Sequence, residues 1–239
     1  MIFVSYNNYA LTKGNDWKSL APGFGYQIIT PYNTFLRGRL YAFKIDLRYY
    51  QLELVLTHNR RPFFNSIENL VISHDAVLGI NGGFFSPDLK PLGLRYSQGQ
   101  LINPIKKISW WCIFMVKGRY ARIIKPTQIS QMKGVDFAIQ AGPRLVVNGQ
   151  IPKLRAGNAN RSALGITPRG EIIIVATENL PISTTKLALI MRDELNCRFA
   201  INLDGGHSTQ LFSRIDNHIF KIPSLTPVTD AILVIPKKS

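Results

Sequence analysis

Carboxylates are scarce in this chain, so the search for acid–base chemistry is short. Asp and Glu total 14 of 239 residues, against 29 Lys and Arg. Asp204 ranks first. It follows the apolar run Phe199 to Leu203 and precedes Gly205-Gly206-His207-Ser208-Thr209. A carboxylate at such a strand exit is a candidate for acid–base work; in a plain turn it would only accept a backbone bond two residues on. Glu178 ranks second. It lies just past the apolar run Glu171 to Thr177 and can share a rim with Asp204; otherwise it is a solvated loop charge. Asp88, in Ser86-Pro87-Asp88-Leu89-Lys90, reads as a turn residue. Asp193 and Glu194 read as surface charges late in a helix.

Three segments share one design, a buried strand running into polar and Gly-rich residues. They are Ala76 to Phe85 with Asn81-Gly82-Gly83, Phe137 to Arg144 with Gly142-Pro143, and Phe199 to Thr209 with Asp204-Gly205-Gly206. One Gly-Gly pair would be a tight turn. Three such exits, each throwing a polar group onto one rim, point to a site. Glycine lets backbone approach a ligand closely, and turn amides can cradle an anion. Arg161, just before Ser162, can hold a phosphate bidentately, though it is also one of many arginines. Ser208 reads as a substrate-binding hydroxyl, because Gly-His-Ser-Thr is not the GxSxG of a nucleophile elbow. No segment matches GxGxxG or GxxxxGK[ST].

The elements that must position these groups are mostly strands. Val-, Ile-, Leu- and aromatic-rich runs predict strands at Leu40 to Asp46, Gln51 to Thr57, Ala76 to Asn81, Leu92 to Tyr96, Trp110 to Val116 and Tyr120 to Ile124. Others follow at Phe137 to Ala141, Arg144 to Val147, Ser162 to Thr167, Glu171 to Thr177, Phe199 to Leu203 and Ala231 to Ile235. Helical spacing predicts a helix over Thr184 to Asn196, capped by Ser183 or Thr184, and a second around Phe64 to His74. Many strands and few helices in irregular order predict an α+β fold. Trp110-Trp111 and Tyr49-Tyr50 read as core or sheet aromatics, with Lys106 and Lys107 a faint polyanion hint.

Composition narrows the function classes. Hydrophobic residues make up 46% and charged residues 18%, which argues against disorder and coiled coil. The net charge of +15, with pI about 10.0, suits an anionic partner or a solubility charge. Cys112 and Cys197 sit in apolar surroundings and predict buried thiols rather than a bridge. The four histidines show no HxxxH or HExxH spacing. The apolar run Ile108 to Val116 is far short of the roughly 20 residues of a membrane helix. Met1 to Gly14 shows no signal peptide, as expected of a cytoplasmic protein or of a chain whose signal has been removed.

Five blocks then occur in a fixed order between about Asp75 and Phe212. They are Ile80-Asn81-Gly82-Gly83-Phe84-Phe85, Pro91-Leu92-Gly93-Leu94, Ala141 to Gly149, Arg161-Ser162-Ala163-Leu164-Gly165-Ile166, and Asn202-Leu203-Asp204-Gly205-Gly206 with Ser208. In these blocks the chain resembles the phosphodiester glycosidase family, which includes the lysosomal N-acetylglucosamine-1-phosphodiester alpha-N-acetylglucosaminidase and many bacterial secreted or periplasmic proteins. The resemblance implies hydrolysis of a sugar-1-phosphodiester, releasing the sugar and leaving a phosphomonoester. Carried over by position, it implies a site of Asn81, Gly82, Arg161, Asp204, Gly205, Gly206 and Ser208. His207 departs from the pattern, standing where many members have a third glycine. A side chain there narrows the pocket or supplies a donor or acid.

Residues and resemblance together give these expectations. The fold is α+β, a single domain over 1–239 of mixed, mostly antiparallel β-sheets with few helices. The chain is a hydrolase cleaving a sugar-1-phosphodiester in a bacterial envelope or exopolysaccharide glycan, and it is periplasmic or secreted. Asp204 and Glu178 are the catalytic candidates. Asn81, Gly82, Gly83, Arg144, Arg161, Gly205, Gly206, His207 and Ser208 are the substrate- or phosphate-binding ones. No cofactor, metal or nucleic acid is expected, and the partner is a sugar-phosphate or phosphoglycan substrate. The competing reading is a non-catalytic module for an anionic glycan, which would bind without releasing sugar.

Overall fold

A computed structural model describes residues 16–30, 38–57 and 66–238. Met1 to Gly14, His58, and Phe64 and Asn65 of the second expected helix lie outside these residues. Strands are numbered in chain order. The largest sheet contains β1 (Lys18–Ala21), β2 (Phe24–Ile29), β3 (Arg39–Ile45), β14 (Ile172–Glu178), β13 (Ser162–Ile166), β16 (Phe199–Asn202) and β11 (Arg144–Val147), in that spatial order. A second sheet has the order β18 (His218–Ile222), β17 (Leu211–Ile215), β5 (Leu78–Asn81), β19 (Asp230–Pro236) and β4 (Tyr50–Leu56). A third has the order β7 (Gln100–Asn103), β6 (Arg95–Ser97), β10 (Phe137–Ala141), β8 (Cys112–Lys117) and β9 (Tyr120–Ile124). A small pair joins β12 (Asn158–Ala159) to β15 (Ile182–Ser183).

Among the described residues every strand pair is antiparallel. The antiparallel α+β expectation holds, and the parallel component implied by a mixed sheet does not occur there. Hairpins join β6 to β7, β8 to β9, β13 to β14 and β17 to β18, while longer connections bring distant strands together, such as β3 with β14 and β5 with β19. At Gln98-Gly99, φ angles of 50° and 77° give a two-residue hairpin turn that matches the twist of β6 and β7.

The core lies where the three large sheets face one another. Phe43 and Ile174 of the first, Leu78 and Ile232 of the second, and Phe114 and Phe137 of the third are fully buried in one cluster. The outer face of the first sheet is covered by α2 (Thr184–Leu189), through Leu187 and Ala188. The outer face of the second is covered by α1 (Ile67–Ser73), through Ile67, Leu70 and Val71. Ser66 and Ser183 cap the two helices by accepting from Asn69 and Lys186 amides.

Several boundaries differ from expectation. The helix predicted to Asn196 is α-helical only to Leu189 and continues as a π-helical turn, Ile190–Glu194. The widened turn brings Met191 and Cys197 against Gly165 of β13, and the Cys197 amide bonds the Met191 carbonyl at 2.8 Å. Strands expected from Ala76, Leu92 and Trp110 begin at Leu78, Arg95 and Cys112. The hairpins β1–β2 and β17–β18 carry too many polar or aromatic residues to read as alternating strands, and sequence reasoning missed them. Cys112 and Cys197 are buried free thiols, as expected.

Candidate active site

The three Gly-rich exits meet at one place. At the end of β16, the Asn202 amide donates to the Pro143 carbonyl at 3.0 Å and the Leu203 amide to the Ser162 carbonyl at 2.9 Å. The next amide, Asp204, donates to the Gly82 carbonyl at 3.3 Å, and Gly206 donates to Asn160 at 2.7 Å. The loop after β16 is thus stitched to the ends of β5, β10 and β13 by its own backbone. The junction brings Gly82, Asp204, Gly205 and Gly206 together, with Arg144 at the start of β11 and Arg161 just before β13.

Asn81 is the knot of the junction. Its amide nitrogen donates to the Asp204 carbonyl at 2.9 Å and the Gly82 carbonyl at 3.3 Å. Its oxygen accepts from the Ser162 hydroxyl at 2.7 Å and the Gln210 amide at 3.3 Å. The side chain is fully buried, and all its bonding capacity is taken by protein. Asn81 therefore positions the Asp204 loop.

The Asp204 carboxyl is mostly buried at the end of this loop. Burial pushes its pKa above the ordinary carboxylate value, because the charged form loses water. A hydrogen bond from the Ser208 hydroxyl and one from the Gly205 amide at 2.9 Å oppose that rise. The Asp230 charge raises it further and Arg95 lowers it. The result is a fixed carboxyl with elevated basicity, the property a general base needs.

Arg161 is half-buried and lies just before β13, the strand next to β16. Its Nε donates to the Ile182 carbonyl at 2.9 Å and its Nη2 to the Gly157 carbonyl at 2.5 Å. Arg144 opens β11, the strand on the other side of β16. Neither guanidinium has a carboxylate within ion-pair distance among the described residues. Two cations without an ion-pair partner thus stand at the near ends of the two strands that border β16.

Beside Gly206 and the exposed His207 opens a cleft of about 480 Å³, walled by Asn158, Asn160, Asn179 and Pro181. Ser224 donates to the His207 carbonyl at 2.7 Å and fixes its far lip. Glu178 lies on this rim but two strands from β16, and its Oε2 accepts from Tyr41 at 3.1 Å. Asp88 is bonded by Ser86 and Lys90 within its own turn and stands apart. Trp111 and Tyr50 are core residues, as read from sequence; Trp110 and Tyr49 are about half exposed.

Sequence reasoning missed the charged pair beneath the site. Arg95 and Asp230 are fully buried, with Nε donating to Oδ2 at 3.0 Å. Asp230 also accepts from the Gly83 amide at 3.0 Å and the Thr229 hydroxyl at 2.9 Å. Arg95 donates from Nη2 to the Phe84 carbonyl at 3.1 Å and from Nη1 to the Gln140 carbonyl at 3.2 Å. The pair locks the Gly82–Phe84 turn from below. A β-carbon on Gly83 would lie 2.4 Å from Arg95 Nη2, so Gly83 is small for the pair's sake rather than for a ligand's. The available signal was a lone charge at each end of an apolar run, the same signal that picked out Asp204.

Comparison with known proteins bears on the family and the fold. Residues 74–235 match the family model described as phosphodiester glycosidase. The chain is 26% identical over 140 residues to YigE of Escherichia coli (strain K12), itself uncharacterized, covering 54% of this chain and 55% of that one. Among solved structures, the zebrafish N-acetylglucosamine-1-phosphodiester alpha-N-acetylglucosaminidase catalytic domain, auto-inhibited by its pro-peptide, superposes with a TM-score of 0.68 at 16% identity. That match covers 92% of this chain and 86% of that one. A hypothetical protein from Synechocystis gives a TM-score of 0.65 at 16% identity, covering 90% of this chain and 62% of its own. A Burkholderia pseudomallei K96243 protein named as exported gives 0.56 at 12%, covering 86% and 75%. The chain spans about half the length of YigE and under two thirds of the Synechocystis chain.

Proposed function

The chain belongs to the phosphodiester glycosidase family, and on that premise we propose that it hydrolyses a sugar-1-phosphodiester in a bacterial envelope or exopolysaccharide glycan. The observation that carries the reading is Asp204: a largely buried carboxyl, raised in pKa, just past the end of β16, with Arg144 opening one neighbouring strand and Arg161 just before the other. An anionic phosphodiester suits the two cations, and the sugar carbon beside it suits the carboxyl.

Asp204 acts as the base on the attacking water. Water adds its oxygen to the anomeric carbon, and its proton goes to Asp204. The bond from that carbon to the phosphate oxygen breaks, and the electron pair leaves with the phosphate. Cleavage of this kind passes through an oxocarbenium-like state, which a nearby carboxylate stabilises. The phosphate leaves as an anion and has little need of a general acid. Arg161, Arg144 and the amides around Gly205 stabilise the charge that develops on it. Gly82, Gly206, His207 and Ser208 shape the pocket, and Glu178 borders it.

The name of the Burkholderia pseudomallei structural neighbour, given as exported, supports a periplasmic or secreted setting. No helix among the described residues is long and apolar enough to cross a membrane. The proposal includes a single functional domain carrying the whole site. The test is release of free N-acetylglucosamine from its methyl phosphodiester and from a UDP-sugar. Wild type should release sugar and Asp204→Asn should not. A variant with full activity would remove Asp204 from the chemistry, and a wild type that binds phosphoglycan without turnover would favour the binding-module reading.

A further inference from the structure

We propose that the end of the molecule opposite Asp204 carries a second binding groove, for a stretch of anionic glycan. From Leu89 to Val135 the chain has nine Lys and Arg and no Asp or Glu. This segment builds β6, β7, β8 and β9, and β9 is an open sheet edge. Along that edge a groove of about 360 Å³ runs between β9 and the Ile166–Gly170 turn. The exposed Arg122 and Arg198 stand on its walls, and Phe199, Ile166 and Pro168 line its apolar part.

The groove is held in shape. Arg198 Nε donates to Asn148 Oδ1 at 2.7 Å, and its guanidinium lies 5.7 Å over the Phe199 ring. That leaves its outer nitrogens for an anion. Beside it, Tyr120 is 64% exposed, with the Arg119 guanidinium 5.4 Å over its ring. No carboxylate lines the groove. The neighbouring Glu171 is engaged by the Thr167 hydroxyl at 3.0 Å and by Lys44 at 3.8 Å.

These features fit a glycan better than other polyanions. Guanidinium groups pair with phosphate or carboxylate substituents. The Phe199 and Pro168 surfaces suit the apolar faces of sugar rings. As an edge strand, β9 offers unpaired backbone groups to hydroxyls. The groove and the rim sit at opposite ends of β13; Ser162 to Ile166 spans about 13 Å at the usual rise per residue. A chain held in the groove would raise the local concentration of its own phosphodiesters at the rim. Only that last link rests on the glycosidase reading.

The probe is a heparin fragment titrated at several salt concentrations, in the Asp204→Asn background so that turnover plays no part. Arg122→Ser/Arg198→Ser should weaken binding at least about tenfold and lower the slope of log K against log salt by roughly 1 to 2. Lys18→Ser/Lys238→Ser removes the same charge elsewhere and should change affinity by no more than about twofold. With Asp204 restored, the groove pair should cleave a short methyl phosphodiester at the wild-type rate. Equal weakening by both pairs would overturn the groove, because net charge alone would then explain binding. So would a matched-charge RNA or duplex DNA fragment that displaces heparin more strongly than heparin displaces it. Absence of turnover in wild type would sink the glycosidase reading and leave the titration result standing.

Discussion

The Asp230 carboxylate stands so close to Gly82 that a β-carbon at position 82 would lie 1.7 Å from its Oδ1. The carboxylate cannot retreat, because Arg95, Gly83 and Thr229 all bond it. Adding a methyl group at Gly82 must pull a buried charge off its partners. Breaking a buried pair costs about 3–5 kcal/mol, since the remaining ion has no water. Gly82→Ala and Asp230→Ala should each lose stability on this scale in urea unfolding. The double variant should lose much less than the sum, because both changes disrupt one contact. Full additivity would refute the steric link.

Asp204 should cost stability at neutral pH. Its carboxyl has an ordinary value of 3.8 and is raised in the fold. Below pH 3.8 it is protonated in both folded and unfolded chains and contributes nothing. Between the unfolded and folded values the folded chain holds more protons, so stability falls as pH rises through that window. Above it, the penalty is complete. Asp204→Asn should therefore melt higher than wild type at pH 7, and the gap should close by pH 3. The same variant should lose about 10²- to 10⁴-fold in kcat, with the acid limb of the rate profile gone. A variant less stable than wild type at pH 7 would contradict the burial argument.

This division shows what the sequence could and could not convey. Asp204, Gly82 and Gly205 were legible because a polar residue at the end of an apolar run has few places to go. Their convergence was legible only as three repeats of one design. Arg95 was hidden because a strand charge normally faces water, and only the third dimension brings it under β5 and onto Asp230. Asn81 was expected to bind substrate, but its polar atoms are taken by protein, and its saturation by Ser162 and Gln210 depends on partners far away in sequence. The π-helical turn after Leu189 was invisible for the same reason: Gly165 and Met191 set it by packing, while the apolar spacing remains that of an ordinary helix.

Arg161 should act on binding more than on the chemical step. Nε and Nη2 are committed to loop carbonyls, so the guanidinium is oriented before substrate arrives. A hydrogen bond to a charged group contributes about 1.5–3 kcal/mol. Arg161→Lys keeps the charge and loses the fork. It should raise KM for a sugar-1-phosphodiester by roughly 10- to 100-fold, with a smaller fall in kcat. An unchanged KM would take the phosphate away from Arg161.

Glu178 tests whether one carboxyl suffices. It shares the rim but bonds Tyr41 from two strands away. If the departing phosphate needs no proton, Glu178→Gln should keep kcat within about tenfold, below the range typical of a lost general acid. A loss of 10³-fold or so would restore a two-carboxylate mechanism.

Asn81→Asp is the sharpest test of the junction, because it changes one atom and no volume. The amide nitrogen that donates to the Gly82 and Asp204 carbonyls becomes an oxygen facing two oxygens. The buried site then holds an uncompensated charge or a protonated acid with one donor for two acceptors. Lost donors at buried carbonyls cost about 1–3 kcal/mol, more when a charge is involved. Stability should fall by that amount, and more steeply above the pKa of the new acid than below it. Because the Asp204 loop hangs on these bonds, kcat should fall as well, while lowering the pH should recover part of the stability. If Asn81 instead touched substrate, Asn81→Asp would weaken binding of the anionic ester and leave the unfolding midpoint where it was.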